Sequence, residues 1–111
     1  MSNLNELSKL VFANAFSKGF YSQGIREEDV PTKIALMHAE LSEALEEWRD
    51  GHAADYVYIK DGKPEGVPVE LADTLIRILD FCGAWNIDIQ GIVAAKMAYN
   101  STRPPKHGKR I

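Results

Sequence analysis

Apolar residues recur at spacings of three and four along most of the chain, which is the period of an amphipathic helix. The pattern predicts four helices, over 3–18, 31–50, 68–84 and 88–101. Pro31 and Pro68 suit a first helical turn, because the missing N–H has no helical partner there. Pro104 and Pro105 forbid continuation of the fourth helix, so residues 103–111 are expected to form an extended basic tail.

Residues 52–67 interrupt the helical period between the second and third helices. The run Tyr56-Val57-Tyr58-Ile59 has β character, and Lys60-Asp61-Gly62-Lys63 is a turn signal. We expect a short hairpin or an irregular insert here. With 111 residues, the chain is expected to be a single all-α domain over 1–111, with four helices and this insert.

Composition narrows the class of protein further. A hydrophobic share of 45% and a charged share of 26% exclude a disordered chain, and the single Cys82 excludes an intrachain disulfide. The first residues lack the basic-then-apolar pattern of a signal peptide, and no apolar run approaches the ~18 residues of a membrane span. We therefore expect a cytoplasmic protein with no membrane partner.

Charge is distributed unevenly along the chain. Residues 101–111 hold four basic residues and no acidic one, whereas residues 1–100 hold nine basic and sixteen acidic residues. Stable nucleic-acid binding is not expected, because it needs a broad positive face. Two interpretations remain open: a solvated acidic surface with a basic end, or carboxylates for a metal and cations for the phosphates that it carries.

The third helix has one narrow charged line on an otherwise apolar surface. Glu70, Asp73, Arg77 and Asp80 follow one another at spacings of three, four and three, which places them on one face. Buried charges are costly unless they are paired or bind a metal. Asp73 and Arg77 could pair at i, i+4, which would satisfy part of the line without a ligand.

The second helix carries a matching acidic face. Glu40, Glu43 and Glu47 lie at spacings of three and four, where like charges repel, and a divalent cation would relieve them. Two solvated acidic faces are the alternative. If the two helices pack side by side, Glu40 and Glu43 meet the carboxylates of the third helix and form a metal site. A set made only of carboxylates favours Mg²⁺, with Mn²⁺ possible, over zinc or iron.

Three segments together resemble the MazG-like, all-α nucleoside triphosphate pyrophosphohydrolases, whose pattern is Glu-Glu-x-x-Glu, a gap, and Glu-x-x-Asp. The resemblance covers about residues 31–108, and Ala39 stands in place of the first glutamate of that pattern, as in some smaller relatives of the dCTP pyrophosphatase type. The segments are His38-Ala39-Glu40-Leu41-Ser42-Glu43-Ala44, Val69-Glu70-Leu71-Ala72-Asp73-Thr74 and Lys96-Met97-Ala98-Tyr99-Asn100-Ser101-Thr102-Arg103-Pro104.

The resemblance implies a helical bundle that assembles as a homodimer or homotetramer. It also implies Mg²⁺-dependent cleavage between the α and β phosphates of a nucleoside triphosphate, which yields a monophosphate and pyrophosphate. The matching metal ligands are Glu40, Glu43, Glu70 and Asp73. The matching phosphate-binding residues, which share one helical face and supply suitable donors, are Lys96, Asn100 and Arg103.

Other roles are less specified by the pattern. Glu43 or Glu47 is expected to act as the catalytic base, and Lys33 could reach a phosphate. His38 and Tyr99 are candidate contacts of the base. Aromatic residues that could form a stacking wall, or belong to the core, are Phe12, Phe16, Phe20, Tyr21 and Trp48. Two alternatives to the proposed reaction stay open: a phosphoribosyl-ATP pyrophosphohydrolase of the same fold, and a non-catalytic oligomeric helical module that binds a regulatory nucleotide.

Overall fold

The computed structural model describes residues 3–105. It is mostly helical with one small two-stranded sheet, so the predicted all-α class is confirmed. The expected tail beyond Pro105 lies outside the described residues. In chain order the elements are α1 (Leu4–Ser17), a 3-10 turn (Glu27–Asp29), α2 (Val30–Arg49), β1 (Tyr58–Lys60), β2 (Lys63–Glu65), α3 (Val67–Ala84) and α4 (Ile89–Ser101).

The helix boundaries follow local signals in the sequence. Asn3 caps α1 by accepting a hydrogen bond from Glu6 N, and Asp88 caps α4 by accepting one from Gly91 N. Gly51, just beyond α2, takes the left-handed conformation (φ 98°) that follows many helix ends. None of the helices within residues 3–105 has the length and apolar character needed to cross a membrane.

The central helix is α3, which packs against α1 on one side and α2 on the other. Its buried residues include Leu79 and Cys82, whereas Leu71, Leu75 and Ile76 remain about half exposed, so a single chain covers only part of its apolar surface. Gly83 permits the close approach of α1, because a Cβ at this position would lie 2.5 Å from the carbonyl oxygen of Ser8 and 2.6 Å from Cβ of Phe12. These three helices form the layer that positions the candidate site.

The fourth helix leaves this layer after its first turn. Every residue from Ile92 to Ser101 is exposed, and Met97 retains 66% of its accessible surface. Helical spacing predicts an inner apolar stripe of Ile89, Ile92, Val93 and Met97 on this helix. Within one chain the prediction is wrong from Ile92 onward, since α4 packs mainly on α1 rather than closing over α2 and α3. Helical periodicity identified an apolar face correctly but did not indicate what covers it.

Reciprocal hydrogen bonds join the beginnings of α1 and α4. Leu4 N donates to Gln90 Oε1 at 2.9 Å, and Gln90 N donates to Asn5 Oδ1 at 3.0 Å. Asn5 Nδ2 also donates to Asp88 Oδ1 at 2.7 Å, which holds the pKa of the Asp88 carboxyl below its usual range. A side chain of each helix thus accepts a hydrogen bond from a backbone N–H in the first turn of the other helix, where such groups have no partner within their own helix.

The predicted hairpin forms and is attached to the end of α2. Strands β1 and β2 pair in antiparallel fashion, with Tyr58 opposite Glu65. The Tyr58 hydroxyl donates to both carboxylate oxygens of Glu47, at 2.6 and 2.8 Å, and His52 Nδ1 lies 3.1 Å from the same carboxylate. The hydrogen bond to Glu47 and the negative charge nearby raise the pKa of Tyr58 to about 12. Gly66 follows at φ 127°, a conformation that favours glycine, and a Cβ here would clash with the backbone oxygen of Tyr56.

Candidate metal centre

Three acidic side chains meet where the middle of α2 faces the beginning of α3. Glu40, Glu70 and Asp73 each offer a carboxylate oxygen, and these atoms all lie within 4.8 Å of one another. All three side chains are half-buried. The structure thus brings together three of the four carboxylates predicted from the sequence as metal ligands. We call this group the acidic triad.

The fourth predicted ligand, Glu43, lies one turn along α2 from Glu40 and is exposed. It does not belong to the acidic triad, but its negative charge is close enough to raise the pKa of Glu70. Glu43 is therefore at the edge of the triad, with its carboxylate open to solvent.

Crowding of like charge shows most clearly at Glu70. Burial raises the pKa of Glu70 to about 7, and a hydrogen bond to Glu40 and the charges of Asp73, Glu40 and Glu43 act in the same direction. Between the usual pKa of 4.5 and this raised value, the site therefore retains a proton that an isolated glutamate would have lost. A bound cation would replace this proton and favour ionised Glu70.

The guanidinium of Arg77 already places one positive charge at the acidic triad. Arg77 Nε donates to Glu40 Oε1 at 2.9 Å, so Arg77 pairs across the helices and not with Asp73 one turn before it on α3. The pairing proposed from i, i+4 spacing is wrong because Glu40 of α2 lies within reach of the guanidinium. A single arginine against three carboxylates leaves the triad with excess negative charge.

The donor set of the acidic triad fits a hard divalent cation. Mg²⁺ and Ca²⁺ take oxygen ligands at about 2.0–2.6 Å, so oxygens on opposite sides of one ion lie about 4–5 Å apart. The 4.8 Å limit within which the three carboxylates meet is compatible with that span. Glu40, Glu70 and Asp73 could therefore hold one such ion with little rearrangement.

A cavity of about 560 Å³ adjoins the acidic triad between α1, α2 and α3. Its volume lies within the range of small-molecule sites, about 300–1,000 Å³. Ionisable residues line it from α2 and α3, and apolar and amide side chains line it from α1. The lining residues are Leu10, Val11, Asn14, Ala15, Phe20, Lys33, Glu40, Asp73, Ile76, Arg77 and Asp80.

Asp80, which lines the cavity, contacts Tyr21 of the segment that follows α1. The Tyr21 hydroxyl donates to Asp80 Oδ2 at 2.7 Å, and burial, together with Asp80, raises the pKa of Tyr21. Lys33 Nζ lies 4.5 Å from the centre of the Tyr21 ring. The ring of Phe12 packs edge-on against Tyr21 at 4.9 Å. Tyr21 belongs to a segment without periodicity, so no pattern in the sequence predicts this contact.

Several predicted site residues lie away from the cavity. Lys96 and Arg103 flank the Tyr99 ring at 4.9 and 5.7 Å, and no residue of α4, including Asn100, lines the cavity. His38 is exposed on α2 and does not line it either. Glu47 binds the hairpin. Of the predicted aromatic wall, Phe20 alone lines this cavity among the described residues, whereas Phe12 and Tyr21 pack with each other.

Comparison of the chain with protein-family models, curated proteins and solved structures found no match.

Proposed function

We propose that this protein is a Mg²⁺-dependent nucleoside triphosphate pyrophosphohydrolase, which cleaves the bond between the α and β phosphates. The observation that carries the proposal is the acidic triad: Glu40, Glu70 and Asp73 converge on one point with only Arg77 to offset their charge. Its position at the edge of a cavity of ligand size supports a substrate site over an acidic surface patch. The choice of reaction rests on the resemblance of three sequence segments to the MazG-like pyrophosphohydrolases.

The acidic triad would hold the divalent cation through its three carboxylates. When bound, such a cation orients phosphates, offsets their developing charge and makes water a stronger nucleophile. Arg77, which now pairs with Glu40, would remain beside the phosphates and add a second positive charge to that end of the cavity.

Glu43 is the better of the two predicted bases. Its carboxylate is exposed at the edge of the acidic triad, so it could accept a proton from an attacking water. The water oxygen would bond to the α phosphorus while the bond from that phosphorus to the α–β bridging oxygen breaks. Pyrophosphate would leave with the electron pair of the broken bond. Glu47, in contrast, already accepts hydrogen bonds from the Tyr58 hydroxyl and lies beside His52.

The cations of α4 would reach the phosphates from a second copy of the chain. Within one chain, Lys96, Asn100 and Arg103 do not line the cavity, and α4 is exposed over most of its length. A homodimer, alone or as half of a homotetramer, would cover α4 and complete a four-helix bundle like that of the MazG-like family. Apolar residues exposed on α2, α3 and α4 include Leu41, Leu45, Leu71, Leu75, Ile92 and Met97.

A substrate panel tests the reaction. Nucleoside triphosphates would be incubated with Mg²⁺, and release of pyrophosphate measured with and without EDTA. We expect release from at least one substrate, and its loss with EDTA. If no substrate releases pyrophosphate but a nucleotide binds in the presence of Mg²⁺, the non-catalytic nucleotide-binding module is the correct function. Release of pyrophosphate from phosphoribosyl-ATP alone would assign the rival enzyme of the same fold.

A mixing experiment tests the contribution of the second copy. Asp73→Asn and Arg103→Ala are each expected to be inactive alone. Mixed dimers carry one site in which both residues are intact, so mixing equal amounts should restore about a quarter of wild-type activity. Sedimentation should show a dimer or a larger even assembly. A monomer at micromolar concentration, or no activity in the mixture, would refute the shared site.

A further inference from the structure

Arg77 and Glu40 form the one ion pair within the described residues that includes a member of the acidic triad. Arg77 Nε donates to Glu40 Oε1 at 2.9 Å, and this is a single hydrogen bond. The pair between Arg26 and Asp29 differs, because there both Nε and Nη2 of the arginine donate, at 2.9 and 2.8 Å. The guanidinium of Arg77 therefore keeps the N–H groups of its terminal nitrogens for a second acceptor.

The guanidinium of Arg77 is open to a ligand in the cavity. Arg77 lines the cavity beside the acidic triad, and its side chain is 41% exposed, against 17% for Glu40. The carboxylate of the pair is thus the more buried partner, while the guanidinium can be reached from the cavity. Phosphate oxygens suit such a group, because they can accept two parallel hydrogen bonds from one guanidinium.

Glu40 also belongs to the acidic triad, so Arg77 and a metal ion would compete for one carboxylate. An ion bound to Oε1 at about 2.1 Å would lie at most about 5 Å from Arg77 Nε, where the two positive charges repel. Lys33 is the other basic residue that lines the cavity, and its Nζ lies over the Tyr21 ring, 4.5 Å from the centre. Of these two basic residues, Arg77 alone would lose a contact when the triad takes up a metal ion.

From this arrangement we infer that Arg77 couples metal binding to phosphate binding: it holds Glu40 in the absence of ligand and releases it when phosphate oxygens bind the guanidinium. The inference rests on the proposed function, since it takes the ligand of the cavity to carry a chain of phosphates. The metal ion alone then binds weakly, because it must separate Glu40 from the guanidinium. With a polyphosphate present, Arg77 exchanges one anion for another, so each ligand favours the binding of the other.

Calorimetric titration of the nucleotide-free protein with Mn²⁺ tests the competition for Glu40. Arg77→Gln removes the positive charge and should bind Mn²⁺ at least about five-fold more tightly than wild type, the lower end of the usual coupling between two sites. Lys33→Gln is the matched control, because Lys33 lies seven residues before Glu40 on α2, about 10 Å along the helix axis. Its affinity should stay within about two-fold of wild type at physiological ionic strength. An unchanged or weaker affinity in Arg77→Gln, or an equal gain in Lys33→Gln, would refute the inference.

A second titration tests the release of the guanidinium, with inorganic tripolyphosphate as the probe and EDTA to remove metal. Glu40→Gln removes the carboxylate that holds Arg77, so this variant should bind tripolyphosphate at least about five-fold more tightly than wild type. Glu43→Gln is the matched control, because it removes an equal charge at the edge of the triad and leaves the pair of Arg77 intact, and its gain should be smaller. Equal gains, or no binding by any of the three proteins, would refute the inference. This titration decides the inference also if Arg77→Gln fails to fold.

Neither titration depends on turnover, so failure of the inference and failure of the proposed function can be distinguished. Both expected gains in affinity, in a protein that hydrolyses no nucleotide, would uphold the coupling and refute the proposed reaction. Mg²⁺-dependent release of pyrophosphate by wild-type protein, together with equal Mn²⁺ affinity in Arg77→Gln, would uphold the reaction and refute the coupling. No binding of Mn²⁺ by wild type or by Arg77→Gln would refute both.

Discussion

Two glutamates of α2, seven residues apart, have opposite surroundings. Glu47 meets the Tyr58 hydroxyl and the His52 ring, so each of its carboxylate oxygens has a partner from the hairpin segment. Glu40 meets Glu70 and Asp73, with Arg77 as its one ion-pair partner in the described chain. The same residue type on one helix thus has hydrogen-bond partners for its carboxylate at one end and is crowded by like charge in the middle.

The difference separates an acidic residue that stabilises the fold from one that, under the proposed function, would bind a metal ion. A carboxylate with donors already in place gains little from a cation, because its hydrogen bonds would have to be broken first. A carboxylate group with excess charge gains much more. Burial and charge density at Glu70 and Asp73, rather than the number of acids on a helix, therefore indicate the candidate metal centre.

The largest effect is expected from loss of a ligand in the acidic triad. Asp73→Asn should lower metal-dependent pyrophosphate release by more than about 100-fold, since even the partners of metal ligands are commonly worth 10–100-fold. The helical content, measured by circular dichroism, should change little because the shape of the side chain is kept. Activity within a few-fold of wild type would show that Asp73 resembles Glu47 and not Glu40.

The next largest effect is expected from loss of the hydrogen bonds between Glu47 and Tyr58 of the hairpin. Glu47→Ala removes the acceptor of Tyr58, and the midpoint of thermal unfolding should fall by about 4–8 °C, which corresponds to one hydrogen bond in a domain of this size. Tyr58→Phe should cost a similar shift, and the double variant little more than either. Additive losses would show that the two residues act independently, and a loss of activity that exceeds the loss of folded protein would restore Glu47 as a candidate base.

A smaller effect is expected from proton binding at Glu70. Its pKa is raised from 4.5 to about 7 in the fold, so the folded protein holds a proton that the unfolded chain has lost between these values. The metal-free protein should therefore lose stability as pH rises through this window, and Mg²⁺ should offset the loss. Thermal melts of wild type and Glu70→Gln isolate the effect. A constant difference between the two across the window would contradict it.

The smallest effect is expected at Glu46, the matched acidic residue of α2 outside both groups. Its pair with Arg49, at 3.2 Å, is exposed on both sides. Glu46→Gln should move the unfolding midpoint by less than about 2 °C and leave activity unchanged, as exposed ion pairs contribute little. If Glu46→Gln lowered the unfolding midpoint as much as Glu47→Ala, the loss of stability would depend on position along α2 and not on the presence of buried partners.

Local signals in the sequence predicted the elements well. The prolines at the beginnings of α2 and α3 and the turn at Asp61-Gly62 act over a few residues, so they can be read without the fold. Three members of the acidic triad were also predictable, because helical spacing puts each on a known face of its own helix. Which residue of α2 meets which residue of α3 depends on how the helices are offset.

The contacts that the sequence did not predict all cross between elements. Arg77 was expected to pair within α3 but reaches Glu40 on α2, and the apolar side of α4 was expected to face inward but is exposed. Tyr21 comes from a segment with no period, so its bond to Asp80 had no signal. Periodicity gives the face of a helix; the partner of that face is set by tertiary packing.

The exposure of α4 has a consequence for how much activity a given amount of protein provides. Under the proposed function, each site takes its carboxylates from one chain and Lys96, Asn100 and Arg103 from another, so sites exist only in proportion to the associated fraction. Specific activity should then fall on dilution, even though each chain keeps its helices. The expression level would therefore determine the associated fraction, and below a threshold concentration the protein would hydrolyse little nucleotide.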